Sequence, residues 1–156
     1  MKTINLTQGY QSQVSDRDFA RLSQYKWYAH VRHRKDGSIK NVYALRKSPR
    51  YDRKQEVIAM HRFIFGITDP MVEVDHKNHN GLNNQRSNLR KATPSQNSYN
   101  RRGNDGVHWV KGKHKWRVSI KVDKKRLNLG YFSTKNEALR VRKKAAKKFH
   151  KEFTWR

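Results

Sequence analysis

The stretch Met71–Asn100, MVEVDHKNHNGLNNQRSNLRKATPSQNSYN, decides how the rest of the chain is read. Val72 and Val74 alternate with other residues and lead to Asp75 and His76, the pattern of a short strand ending on two reactive side chains. Asn78 to Gln85 is loop by composition, and Leu89 anchors a second short strand. Thr93-Pro94-Ser95-Gln96 then opens a helix, with Thr93 as N-cap, Pro94 at the first helical position and Gln96 three residues after the cap. That start fixes Asn97 in the first turn, with Asn100 and Arg101 near the same face.

The candidate set on the expected strand–loop–strand–helix unit is one imidazole, His76, one carboxylate, Asp75, and two side-chain amides, Asn88 and Asn97. An imidazole with an unperturbed pKa of about 6.5 can take a proton from water at neutral pH, which makes His76 a candidate general base. The Asp75 carboxylate and the Asn97 carbonyl are hard oxygen donors, suited to Mg²⁺ or Mn²⁺ and not to zinc. Asn88 has an amide with which to hold the His76 backbone or ring. Phosphodiester hydrolysis needs such a set: an activated water, and a cation to neutralise charge on the phosphate and the leaving oxygen. Successive strand residues point to opposite faces, so Asp75 and His76 share a site only where the strand ends and twists. Asn83 and Asn84 read as ordinary loop residues, His79 as solvated and His61 as structural.

Upstream, Ser15-Asp16-Arg17-Asp18 marks a helix start, with Phe19 and Leu22 forming its apolar side. Tyr25–Arg34 and Ile39–Lys47 flank Asp36-Gly37, a strong hairpin signal. The hairpin has a packed face, and a basic one to which Arg32, Arg34 and Arg46 belong. Val57–Phe65 reads as a strand running into a helical turn that stops near Gly66. Downstream, Trp116, Val118, Ile120 and Val122 alternate with Arg117, Ser119 and Lys121, a period of two. Leu127, Leu129 and Tyr131 alternate with Arg126 and Asn128 in the same way. Thr134-x-x-Glu137 then caps a helix whose inner side holds Ala138, Leu139, Val141, Ala145, Ala146 and Phe149. Trp27 and Trp116 are expected in the cores.

The expected class is α+β in three segments. These are an N-terminal hairpin-and-helix region over 1–66, the central unit over 67–101, and a three-stranded antiparallel sheet packed on one helix over 105–156. With 37 Lys and Arg against 12 Asp and Glu among 156 residues, the formal charge is +25, and a polyanionic partner offsets that self-repulsion. No apolar run approaches the roughly 20 residues of a spanning helix, and no signal-peptide pattern opens the chain. Zero cysteines exclude disulfide frameworks and thiolate zinc sites. Cytoplasm, of a host cell if the gene is phage-encoded, is the expected compartment.

The run VDHKNHNGLNNQRSNLRKATPSQNSYNR, Val74 to Arg101, closely resembles the HNH endonuclease motif, the ββα-metal fold of phage and intron-encoded homing endonucleases. The resemblance implies His76 as general base, Asp75 as metal ligand, Asn88 as the central Asn that positions the base, and Asn97 as the last motif position and second ligand. Asn97 stands where the lettering of the motif has His. One divalent cation, Mg²⁺ or Mn²⁺, is implied, with double-stranded DNA as partner, no small-molecule cofactor, and a layout compatible with a monomer. NLTQGY, LSQYKW and MHRFIFG resemble the N-terminal region of the same enzymes.

The last segment resembles an AP2-type DNA-binding domain through Gly106-Val107, Lys115-Trp116, Leu129-Gly130-Tyr131-Phe132 and its Ala-rich helix. In that family a three-stranded sheet enters the major groove. Strand parity puts His108, Arg117, Ser119, Lys121, Arg126 and Asn128 on the matching outward face, and Arg101 at the basic joint adds a further DNA contact. Two rival readings remain: a non-catalytic DNA-binding protein working through that sheet, and a small RNA- or ribosome-associated basic protein.

Overall fold

The computed structural model describes residues 1–51, 54–100, 106–123 and 125–154. It is mixed α and β, with small sheets and four α-helices among the described residues, and divides into two units, Met1–Ala92 and Thr93–Arg156.

The first unit opens with an antiparallel pair, β1 (Lys2–Asn5) and β2 (Gln11–Val14). Along β2, Ser12 and Val14 are buried while Gln11 is exposed, a period of two hidden from sequence because one inward residue is polar. α1 (Asp16–Ser23) follows, with Asp16 and Asp18 in its first turn. Ser15 does not cap α1 with its side chain; its hydroxyl accepts the backbone N–H of Arg86 at 2.9 Å. β3 (Tyr28–His33) and β4 (Ile39–Lys47) form the hairpin around Asp36-Gly37, where Gly37 has φ 79°. β5 (Val57–Ala59) adds to β4 and runs into α2 (Met60–Phe65), which ends at Gly66 with φ 62°.

β6 (Glu73–His76) and β8 (Leu89–Ala92) pair antiparallel, with Asp75 opposite Arg90 and His76 opposite Leu89. The loop between them contains a two-residue strand, β7 (Asn83–Asn84), which joins β2 in parallel. That element had been read as plain loop. One hydrophobic cluster gathers Ile4, Val14, Leu22, Trp27, Ala44, Met60, Ile64, Val74 and Leu89, so residues before and after position 66 share a single core.

The second unit begins with α3 (Pro94–Tyr99). Both halves of its capping box form: Thr93 Oγ1 accepts from Gln96 N at 3.2 Å and Gln96 Oε1 accepts from Thr93 N at 2.8 Å. β9 (Val107–Val110), β10 (Lys115–Val122) and β11 (Lys125–Phe132) form an antiparallel sheet with β10 central. α4 (Lys135–His150) packs on it, closing a small core of Val107, Val118 and Ala138 with Trp116, Leu129, Phe132 and Val141 around them. Tyr99 of α3 stacks flat on His150 of α4 at 3.8 Å, and its hydroxyl accepts the Asp123 N–H at 3.0 Å. His150 Nε2 in turn lies 2.8 Å from the Lys121 carbonyl. Among the described residues no helix is long and apolar enough to cross a membrane.

Candidate active site

β6 carries Asp75 and His76 to its C-terminal end as expected, and both are buried, at 6% and 7% exposure. Their side chains meet different neighbours. Asp75 Oδ2 accepts from Arg90 Nε at 2.8 Å and Nη2 at 2.6 Å, an ion pair between cross-strand partners that are both buried. His76 Nε2 lies 3.2 Å from Asn84 Oδ1. The ring stands edge-on to His61, centroids 5.1 Å apart, and 6.0 Å from the Tyr43 ring. Burial lowers the His76 pKa below the usual imidazole value, opposed by the Asn84 hydrogen bond and the Asp75 charge. Burial, with help from the charges of His76 and Arg62, pushes His61 down to about 3. Both rings are therefore neutral at physiological pH, the state a general base requires.

Asn88 takes a different role from the one its spacing suggested. Its Oδ1 accepts the Asn78 N–H at 3.1 Å and its Nδ2 donates to the Asn83 carbonyl at 2.8 Å, while its own carbonyl accepts from Lys77 N. It staples the two ends of the loop after His76, and the contact with the His76 ring is made by Asn84. Asn84 is fully buried, where the composition of the sequence predicts a loop residue. Its Nδ2 donates to Ser12 Oγ at 2.8 Å and to the Gly81 carbonyl at 3.3 Å. Nothing local in the sequence marks Asn84, because the strand that buries it lies about seventy positions earlier.

The N-terminal elements hold this loop at several points. Gln13 N donates to the Leu82 carbonyl at 2.9 Å, and Ser12 Oγ donates to the same carbonyl at 3.1 Å. Arg86 makes a two-pronged ion pair with buried Asp18, Nε–Oδ2 2.7 Å and Nη2–Oδ1 2.8 Å, and Nη2 also donates to the Ile64 carbonyl. Hydrogen bonding to Asp18 raises the pKa of Arg86 further. On the other side Gly81 lies against β4, where a Cβ would collide with the Val42 carbonyl and come within 2.7 Å of the Tyr43 ring.

Asn97 belongs to the second unit, half-buried on α3, where its backbone N–H bonds the Thr93 carbonyl at 2.9 Å. Among the described residues no cluster of three or more His, Cys, Asp or Glu is placed to hold a metal. Asp75 is still the right donor for a hard cation that draws its remaining ligands from amide oxygens, phosphate and water.

The expected DNA-contacting residues fall into two groups. In the sheet of the second unit the register sets Arg117 against His108, Ser119 against Asn128 and Lys121 against Arg126, which places all six on one face. His108, Lys121, Arg126 and Asn128 are exposed, Arg117 is half-buried and Ser119 is buried. In the hairpin Arg32 is exposed, and Arg34 is exposed but ties Ser38 and Ile39 within the turn. Arg46 departs from expectation. It is buried on the Ala44 side of β4, with its guanidinium over the rings of Tyr25, Trp27 and Phe63, and so packs the core. Arg101 lies outside the described residues.

A buried imidazole and an adjoining carboxylate thus end β6, within a stretch that is similar to known proteins. Residues 60–99 match the model of the HNH endonuclease family. Over 85 residues the chain is 39% identical to a protein of Acanthamoeba polyphaga mimivirus named as an uncharacterised HNH endonuclease. That similarity covers 51% of this chain and 37% of the viral protein, so the chain spans well under half of that relative's length. No solved structure matches.

Proposed function

We propose that the protein is a metal-dependent endonuclease that hydrolyses phosphodiester bonds in double-stranded DNA, of the site-specific homing type. The observation that carries this reading is His76, buried and hydrogen-bonded through its ring to Asn84, beside Asp75 within the stretch that matches the HNH endonuclease family. Water deprotonated by His76 attacks phosphorus, leaving 5′-phosphate and 3′-hydroxyl ends. Asp75 would hold one Mg²⁺ or Mn²⁺, with Asn97 the second ligand that the motif resemblance implies, and the ion would supply charge neutralisation at the phosphate and the leaving oxygen. One such site per chain predicts a nick per binding event. The AP2-like sheet, through His108, Lys121, Arg126 and Asn128, and the hairpin, through Arg32, would grip the duplex, and charge neutralisation would supply much of the affinity.

The test is supercoiled plasmid incubated with the full chain in Mg²⁺, Mn²⁺ or EDTA, beside His76→Ala. Metal-dependent nicking that the variant lacks is the expected result. Equal nicking by both proteins sinks the mechanism. A second reading, DNA binding without cleavage, is favoured by the exposed basic face of the second unit alone. It predicts tight duplex binding in EDTA and no strand scission under any metal.

A further inference from the structure

A cluster of positive charge in the second unit lies away from the outward face of its sheet. α4 packs Ala138 and Val141 against the strands and buries Ala146 and His150, so its opposite side faces away from the sheet. Arg140, Lys143, Lys144, Lys147 and Lys148 occupy that side, and all five are exposed. They stand three and four residues apart, so each meets like charge along the helix, an arrangement that repels itself. Glu137 is the one acid within α4, and its carboxylate accepts from the Thr134 hydroxyl in the cap. Among the described residues none of the five cations makes an ion pair.

A duplex held on the outward face of the sheet does not reach this cluster. The sheet and the helix lie between them, and the helix alone is about 10–12 Å across with its side chains. Screening confines a surface charge to about 8–10 Å at ordinary ionic strength, so phosphates on the sheet leave these cations uncompensated. From Arg140 to Lys148 the helix rises about 12 Å, over which duplex DNA carries about seven phosphate charges. A lipid surface fits less well: an interfacial helix inserts an apolar face, and that of α4 is packed on the sheet, with Leu139 and Phe149 partly exposed at its margins. We propose that the outer face of α4 is a second binding surface for the phosphate backbone of duplex DNA, independent of base sequence, and that one chain thereby holds two duplex segments at once. The surface rests on charge and geometry; the count of two also rests on the sheet gripping a duplex, as in the reading above. A chain so equipped passes from one segment to the next without full release.

The full chain in EDTA, where no cleavage intervenes, is titrated with a short duplex of random sequence and treated with an amine-acetylating reagent, and the modified lysines are located by mass spectrometry. Lys121 should be shielded first, and Lys143, Lys144, Lys147 and Lys148 at higher duplex concentration. In parallel, the chain held by a duplex on beads should capture a second, fluorescent duplex, with a salt slope of about −4 to −5 from five phosphate contacts. Replacing all five cations together (Arg140→Gln, Lys143→Gln, Lys144→Gln, Lys147→Gln, Lys148→Gln) should abolish that capture while the first duplex still binds, since glutamine suits a helix. Lysines of α4 that react equally with and without saturating duplex overturn the proposal, as does a folded variant that captures the second duplex like the wild type. Shielding of Lys121 and the α4 lysines together at one duplex per chain overturns it too, because one duplex then reaches both faces. Shielding by phosphatidylserine vesicles where duplex gives none assigns the face to a membrane instead. If the variant does not fold, the wild-type acetylation pattern decides. With cleavage absent from both readouts, a chain that binds as expected but nicks nothing under any metal overturns the nuclease reading alone.

Discussion

Two asparagines four positions apart, Asn84 and Asn88, show how a single side chain can be legible in kind but not in partner. Spacing marks Asn88 as a member of the set, yet it bonds Asn78 and Asn83; the ring's partner is Asn84, which owes its burial to a distant strand. Asp75, His76 and the Thr93 cap were readable, because each sits in a local pattern that needs no remote partner. Arg46 was misplaced because its basic head hides on aromatic faces, where charge is a poor guide to exposure. Arg86 offers a test at this scale. Among the described residues, Arg86→Ala leaves the buried Asp18 carboxylate with Arg21, 3.6 Å away, as its remaining ion-pair partner, and should destabilise the fold by about 2–3 kcal/mol in urea unfolding. In the same way Asp75→Asn, which removes the charged donor but keeps the shape, should abolish metal-dependent plasmid nicking.

At the scale of elements, the strongly periodic pieces were plain in the sequence: β10 from its alternation, α3 and α4 from their caps, the β3–β4 hairpin from Asp36-Gly37. β1, β2 and β7 were not, since Lys2, Gln11, Ser12 and Gln13 lack an apolar rhythm and two-residue β7 exists only through its pairing with β2. Gly81 is the point where this loop and β4 come closest, and Gly81→Ala must push the Val42 carbonyl aside. We expect a loss of about 1–3 kcal/mol, typical of overpacking, measured as a lower urea midpoint with an unchanged slope. In the second unit Tyr99→Phe keeps the stack on His150 but removes the acceptor for Asp123 N–H, a loss of about 1 kcal/mol in the same assay.

For the molecule as a whole, buried imidazoles set its response to acid. His61, His76 and His150 all have pKa values lowered chiefly by burial, so the fold favours their neutral forms. That contribution is complete above the ordinary imidazole pKa of 6.5 and is lost as pH falls from there toward the folded-state values, about 3 for His61. The thermal midpoint should therefore drop as pH is lowered through this range, with a shallower slope in His61→Phe, which keeps a ring but cannot titrate. The net charge of +25 predicts duplex affinity falling steeply with salt. Lys121→Ala or Arg126→Ala should each reduce that salt slope by about 1 if the side chain contacts phosphate.

The parallel pairing of β2 with β7 also bears on how freely the stretch that matches the HNH endonuclease family can be moved between proteins. The matched letters fall within residues 60–99, yet Ser12, Ser15 and Asp18, which hold the loop, come from β2, from the residue before α1 and from α1. Grafted onto a foreign DNA-binding scaffold as those forty positions alone, it would keep its lettering and lose its bracing. A transplant that keeps this bracing has to include β2 and α1.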